Sequence, residues 1–174
     1  MIDIFVSSAS VWPEQDWQAC ADKAVQSALA ATPYAGLTNL SLTIEVAVKL
    51  SDSDEVQSLN HDYRGKDKPT NILSFPQTSP DLLQAMATSA GGAAAGDDGE
   101  AILGDMILAY AVCQAEAEQK GVSLKEHVTH LLVHGTLHLL GYDHIDEAEA
   151  IAMEALETEI LAGLGIADPY GDRD

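Results

Sequence analysis

Five of the chain's six histidines lie between His127 and His144, and this stretch constrains the fold more than any other. Leu131, Leu132, Leu137, Leu139 and Leu140 make the helix expected there apolar on most of its sides. Such a helix has to be covered on most sides, so the rest of the chain must wrap around it. The last three histidines follow the spacing H-x3-H-x5-H. His134 and His138 are four residues apart and share a helix face, with Cβ atoms roughly 5–6 Å apart. Gly141 can take the left-handed conformation that ends a helix, and His144 can then supply a third nitrogen as the chain turns back. Three neutral imidazoles with a vacant fourth position suit a catalytic zinc, whereas a structural zinc takes four protein ligands. The spacing therefore nominates His134, His138 and His144 as the ligands of one Zn2+ per chain. Imidazoles also suit copper, nickel and iron. His61 stands alone and reads as an ordinary surface or core residue. His127 and His130 read as core residues, with His130 placed to hydrogen-bond a ligand.

A chain of 174 residues is long enough for one domain with its own core, so residues 1–174 are expected to form a single domain. No apolar run approaches the roughly 20 residues of a membrane span, and Met1 to Val6 reads as a strand rather than a signal peptide. Cys20 and Cys113 match no metal or redox motif and are expected to be free buried thiols in a reducing cytoplasm. A cytoplasmic protein with no membrane partner is the resulting expectation. The formal charge of −20 argues on its own against nucleic acid. Yet Arg64, Lys66 and Lys68 fall within five positions. This small cationic loop on an acidic body is either a solvated turn or a contact for an anion.

Local patterns supply the remaining elements. A helix is expected from Pro13-Glu14 to about Ala31, broken by Pro33 and Gly36. Leu42 to Val48 alternates β-branched and polar residues and reads as a strand. Ser51 or Asp52 can cap a short helix carrying Val56, Leu59 and Tyr63. Short strands follow at Thr70–Phe75 and Ala101–Leu108, then a helix from about Ala111 that stops at Gly121. Ser123-Leu124-Lys125-Glu126 has the form of a capping box and opens the histidine helix. Asp146 and Glu149 repeat the pattern for a last helix ending near Gly163. Residues 78–99, ending in a Gly/Ala-rich run, are expected to be a flexible loop with at most a turn or two of helix after Asp81. Residues 168–174 are expected to be a frayed tail. Strands mixed with helices give one α/β (α+β) domain, a small mixed sheet packed on helices around a central metal-binding helix. The strand order is not legible.

The histidine spacing is that of metzincin proteases, H-E-x-x-H-x-x-G-x-x-H, but Gly135 occupies the glutamate position. That glutamate is the general base on the metal's water, and its absence disfavours peptide hydrolysis. A zinc ion alone can bring the pKa of its water to about 7. The remaining need is a cation for the charge that spreads in the transition state. Arg64 supplies a planar fork matching phosphate oxygens, so metal and arginine together point to phosphodiester cleavage.

These residues resemble the YbeY endoribonuclease family of bacterial rRNA maturation factors. His134-Gly135-Thr136-Leu137-His138-Leu139-Leu140-Gly141-Tyr142-Asp143-His144 is similar throughout to that family's H-G-x-L-H-L-x-G-Y-D-H signature. Tyr63-Arg64-Gly65-Lys66-Asp67-Lys68-Pro69-Thr70 is similar to its Y-R-x-K-D-x-P-T segment. Ile72-Leu73-Ser74-Phe75-Pro76 and Leu103-Gly104-Asp105 fit the segments that follow, so the resemblance runs from about Leu42 to Leu161. It implies a zinc-dependent, single-strand-specific endoribonuclease acting in 3′-end maturation of 16S rRNA and in ribosome quality control. Its implied partners are single-stranded RNA, the small-subunit rRNA, the ribosome and ribosomal proteins. By position, His134, His138 and His144 are the implied zinc ligands and Arg64 the implied contact to the scissile phosphate. Two departures stand out: Asn71 replaces the family's usual aspartate, and the Gly/Ala-rich stretch before Gly99 is long.

The alternative is a non-catalytic ribosome-assembly factor with a structural metal, which the glycine at position 135 keeps open. Asp143 reads either as a carboxylate that orients a ligand histidine without binding the metal or as a turn residue capping backbone, and Asp105 as structural. The few cations imply that RNA enters only over the Arg64–Lys68 loop, brought there by ribosomal partners. Oligomeric state, and whether water or the RNA 2′-hydroxyl attacks, stay open.

Overall fold

The computed structural model describes residues 1–39, 43–88, 100–143 and 145–170. His144 therefore lies outside the described residues, as do 89–99 of the expected loop and the last four residues. Four strands, β1 (Ile2–Ser8), β2 (Thr43–Ser51), β3 (Ile72–Pro76) and β4 (Glu100–Ala109), form one sheet in the order β1-β2-β4-β3. β1, β2 and β4 run parallel, and β3 runs antiparallel to β4 at the edge. The six described helices are α1 (Trp17–Ala30), α2 (Ser53–Arg64), α3 (Pro80–Thr88), α4 (Tyr110–Lys120), α5 (Leu124–Leu139) and α6 (Glu147–Gly163). The result is a single small α+β domain with a mixed sheet.

The alternation in β2 sets the two faces of the sheet. Ile44, Val46, Val48 and Leu50 are buried on one face, while Lys49 is exposed on the other. The buried face meets α1 and α5, which pack against each other. The Cys20 thiol lies 3.1 Å from the Thr129 hydroxyl across that contact. On the opposite face Val56, Leu73, Ile107 and Ala109 form a smaller cluster under α2 and α4. Between Glu45 and Val46 the register slips, so that Leu103 of β4 is bulged out of the pairing.

Helix α5 is the central element: eleven of its residues are buried, from His127 to Leu139. Its start is the Ser123 side chain accepting from Glu126 N–H at 3.1 Å, and Asp52 and Asp146 cap α2 and α6 in the same way. Both cysteines are free and buried. Burial, helped by nearby Glu116, pushes the Cys113 thiol up to about 12, which keeps it an inert thiol.

The turn or two of helix expected over Asp81–Ala87 is present as α3, and it is packed rather than loose: Leu83 and Met86 are each 1 % exposed in the main core. The Gly/Ala-rich composition downstream hid an apolar pair at helical spacing. The tail is not frayed at 168–170: Asp168 accepts from Thr158 Oγ1 and from Tyr170 N–H, and the Tyr170 hydroxyl reaches a buried carboxylate. Among the described residues no helix is long and apolar enough to cross a membrane.

Candidate active-site cleft

The C-terminal turn of α5 opens on a cleft of about 520 Å³. His134 and His138 line one wall; Arg64, Asn71 and Ser74 line the other, and Asp143 stands at its rim. Asp105 lies on the far face of the sheet, where it accepts from Gln77, and takes no part in this cleft. His61 is exposed on α2 beside Asp62.

The orientation of the two rings follows from what their Nδ1 atoms touch. His138 Nδ1 is 3.0 Å from the Tyr142 carbonyl. A carbonyl only accepts, so this nitrogen carries the proton. The turn through Gly141, whose φ is 98°, brings that carbonyl back over the helix end. His134 Nδ1 donates to Glu157 Oε1. With Nδ1 occupied, each ring turns its Nε2 toward a shared point, and the two Nε2 atoms are 2.9 Å apart. Two lone pairs so close repel unless a proton or a cation lies between them. Tetrahedral coordination at zinc–nitrogen distances sets two nitrogens roughly 3.3 Å apart, a few tenths of an ångström from the spacing seen. The pair fits a divalent cation. His144 lies outside the described residues, and among those described no set of three or more ligating side chains gathers.

Arg64 is positioned by the end of α2. Gly65 adopts the left-handed conformation (φ 69°), and the N–H groups of Gly65 and Lys66 close on the carbonyls of His61 and Asn60. Buried Asn60 donates to the Lys68 carbonyl at 2.9 Å, and Gln57 donates to Asp67 at 3.0 Å. The cationic loop is therefore tied to α2. Nothing in sequence reasoning singled out Asn60; a polar residue on the buried side of α2, next to Val56 in the helix repeat, was the available signal.

Gly135 has a packing reason. A Cβ there would lie 2.5 Å from Met106 Sδ, 2.9 Å from Ile72 Cδ1 and 3.0 Å from Ser74 Oγ. α5 meets the β3–β4 ladder at this point, so a glutamate side chain has no room. The Ser74 hydroxyl is the polar group that faces the position.

Asn71 also finds its explanation. Its amide donates to Glu116 Oε1 at 3.1 Å, and its Oδ1 accepts from Ile72 N–H at 2.7 Å. Glu116 also bonds His127 Nε2 at 2.8 Å. The hydrogen bond from His127 holds the Glu116 carboxyl below its ordinary range, against an opposing push from burial and with help from Asn71. An aspartate at position 71 would face that carboxylate with a like charge.

The element least expected from sequence is Glu157, fully buried on α6. Burial pushes its carboxyl up, but hydrogen bonds from His134 and Tyr170 and the nearby imidazoles outweigh this and hold it below the usual value. His130 Nε2 lies 3.2 Å from the Tyr170 hydroxyl and 3.9 Å from Glu157 Oε1, and its ring meets that of His134 edge-on at 6.5 Å between centroids. Burial pushes His130 itself down to about 4, despite the opposing charge of Glu157.

Fold and cleft define a class: a small α+β protein whose central helix places paired imidazoles in a cleft that an arginine also lines. Comparison with known proteins is consistent with this. The sequence pattern described as "Endoribonuclease YbeY" matches residues 4–165. A protein of that name from Sphingopyxis alaskensis is 53 % identical over the whole of both chains. Another from Rhizorhabdus wittichii is 51 % identical over 98 % of this chain and 97 % of its own, and one from Zymomonas mobilis is 45 % identical over 100 % and 96 %. A solution structure of a Thermotoga maritima protein, 19 % identical, superposes with a TM-score of 0.53 over 99 % of this chain and all of that one, which shows a shared fold. The chain belongs to the endoribonuclease YbeY family.

Proposed function

We propose that the protein is a zinc-dependent, single-strand-specific endoribonuclease of the cytoplasm, acting in 3′-end maturation of small-subunit rRNA and in ribosome quality control. The family name supports cleavage of RNA. One observation carries the reading of the site: two imidazole Nε2 atoms converge to 2.9 Å on a cleft that Arg64 also lines.

His134, His138 and His144 would hold the ion. When bound, it supplies Lewis acidity toward a phosphate oxygen and lowers the pKa of water. Arg64, the last residue of α2 and next to a loop tied down by Asn60 and Gln57, pairs with phosphate oxygens through its guanidinium fork and steadies charge that grows in the transition state. Tyr142 keeps the His138 proton on Nδ1, and Glu157 keeps that of His134 there. An acidic body with so few cations binds a naked strand weakly, which fits delivery of the RNA by the ribosome and its proteins.

Cleavage of a single-stranded RNA by the purified chain tests this. Arg64→Ala is expected to abolish cleavage while the bound zinc stays at wild-type level. Full activity in that variant removes the phosphate role. Zinc bound tightly with no cleavage of any RNA or pre-rRNA particle favours the non-catalytic assembly factor instead. A cyclic phosphate on the product would show that the 2′-hydroxyl attacks. Nanomolar binding to naked RNA at physiological salt would contradict delivery by the ribosome.

A further inference from the structure

Helix α6 carries a glutamate where its neighbours call for an apolar residue. Met153, Ile160 and Leu161 are buried on it, and Glu157 shares their stripe with 0 % exposure. A buried carboxylate is costly unless its oxygens are met by donors. Here every donor converges on it. His134 Nδ1–H donates to Oε1, and the Tyr170 hydroxyl donates to Oε2 at 2.7 Å. That hydroxyl oxygen has His130 Nε2 at 3.2 Å, so His130 donates to it in turn. Tyr170 is itself fixed: its N–H donates to Asp168 Oδ1 at 2.8 Å, and Thr158, the residue after Glu157, donates to the same oxygen at 3.1 Å. Residues 168–170 are thus fastened to α6 beside His134.

We propose that Glu157, secured by Tyr170, is a positioning residue through which the C-terminal segment sets the divalent-cation affinity of the histidine site. This rests on reading the His134–His138 pair as a metal site. The carboxylate pins the His134 proton on Nδ1 and fixes the ring plane, which leaves Nε2 as a lone pair facing the cleft. Its negative charge also makes that nitrogen a better donor to a cation. Without the brace, the ring can rotate or carry its proton on Nε2, and each state populated that way is unable to bind.

The test is zinc affinity of the full-length chain, read by competition with a chromophoric chelator, alongside the thermal melt of the metal-free protein. Glu157→Leu, which fills the site, is expected to weaken zinc about 10–100-fold. Glu157→Gln keeps an oxygen for the imidazole proton but loses the charge, so a smaller loss of about 3–10-fold is expected, as is one of similar size for Tyr170→Phe. The visible spectrum of the cobalt-substituted protein should change in Glu157→Leu and stay near wild type in Glu157→Gln. A role in the fold alone would lower the melt and leave affinity and spectrum unmoved. Zinc affinity within twofold of wild type in a folded Glu157→Leu overturns the brace. Should that variant not fold, unchanged affinity in both Glu157→Gln and Tyr170→Phe overturns it equally. Zinc failing to bind the wild-type chain sinks the metal reading itself, a result distinct from equal binding by all variants.

Discussion

The two halves of α5 carry the same side chain and use it in opposite ways. In the N-terminal half, His127 and His130 spend Nε2, the far nitrogen, on Glu116 and Tyr170, and bury Nδ1 with no hydrogen-bond partner. In the C-terminal half, His134 and His138 spend Nδ1, the near nitrogen, on Glu157 and Tyr142 and direct Nε2 toward the cleft. Glu116 serves His127 alone of the four, whereas Glu157 bonds His134 and lies 3.9 Å from His130. The residue type therefore does not decide which histidine can bind a metal; the partner that claims one of its two nitrogens does. In this chain the two histidines whose far nitrogen is taken are buried in the core, and the two whose near nitrogen is taken line the cleft.

The sharpest way to break this contrast is to remove one ring from each half. His138→Ala is expected to lose both zinc and RNA cleavage. His127→Leu, at a position 2 % exposed and so well suited to an apolar side chain, should keep cleavage and zinc affinity within about twofold, because it sits in the half whose far nitrogen is taken. Loss of zinc from the His127 variant would erase the distinction.

Next in size is the packing that holds the C-terminal half against the sheet. Gly135→Ala puts a methyl group within 3 Å of three side-chain atoms. Overpacking of this kind costs about 1–3 kcal/mol, and alanine's helix preference returns up to about 1. A fall in Tm of a few degrees is expected for a chain of this size, at roughly 2–4 °C per kcal/mol. An unchanged melt would mean that Met106 and Ile72 yield freely.

The pH dependence of stability separates the halves again. His130 titrates near 4 in the fold and at about 6.5 when unfolded. Between those values the unfolded chain holds more protons, so stability rises with pH across the window and falls on acidification. This one group contributes up to about 1.4 kcal/mol per pH unit there. Urea unfolding of the metal-free protein should show that slope, and His130→Asn should flatten it. Glu116, held low, adds a loss only below the ordinary carboxylate range.

The smallest effect expected is at Asn71→Asp. It sets a second carboxylate against Glu116 in place of an amide 3.1 Å away. Because Glu116 is about a third exposed, the cost at neutral pH is about 1 kcal/mol. It should shrink in acid as one carboxyl takes up a proton, which denaturant melts at two pH values would reveal.

Much of this was legible in the chain. The caps at Asp52, Ser123 and Asp146, the β2 alternation and the histidine spacing are local rules, and each appears where local chemistry places it. The pair His134–His138, named from spacing, and Arg64, named from the chemistry of its guanidinium and from the resemblance, share one cleft; His144 lies outside the described residues. Leu83 and Met86 were hidden by the composition around them. Glu157 could have been suspected as a charge on an apolar helix stripe, but its partner His134 is 23 residues away, and no short-range pattern links them. Gly135, read as a missing base, is a point of contact between α5 and the sheet.

The amino-acid order alone determined which segments become helices and strands and which imidazoles lie on one helix face, because those depend on neighbours within a few residues. Only the tertiary structure decided the strand order, the need for glycine at 135 and the nitrogen each histidine presents. A proton's place on an imidazole is settled by whatever acceptor the fold brings beside it, and those acceptors come from Tyr142, Glu116, Glu157 and Tyr170, most of them distant in the chain.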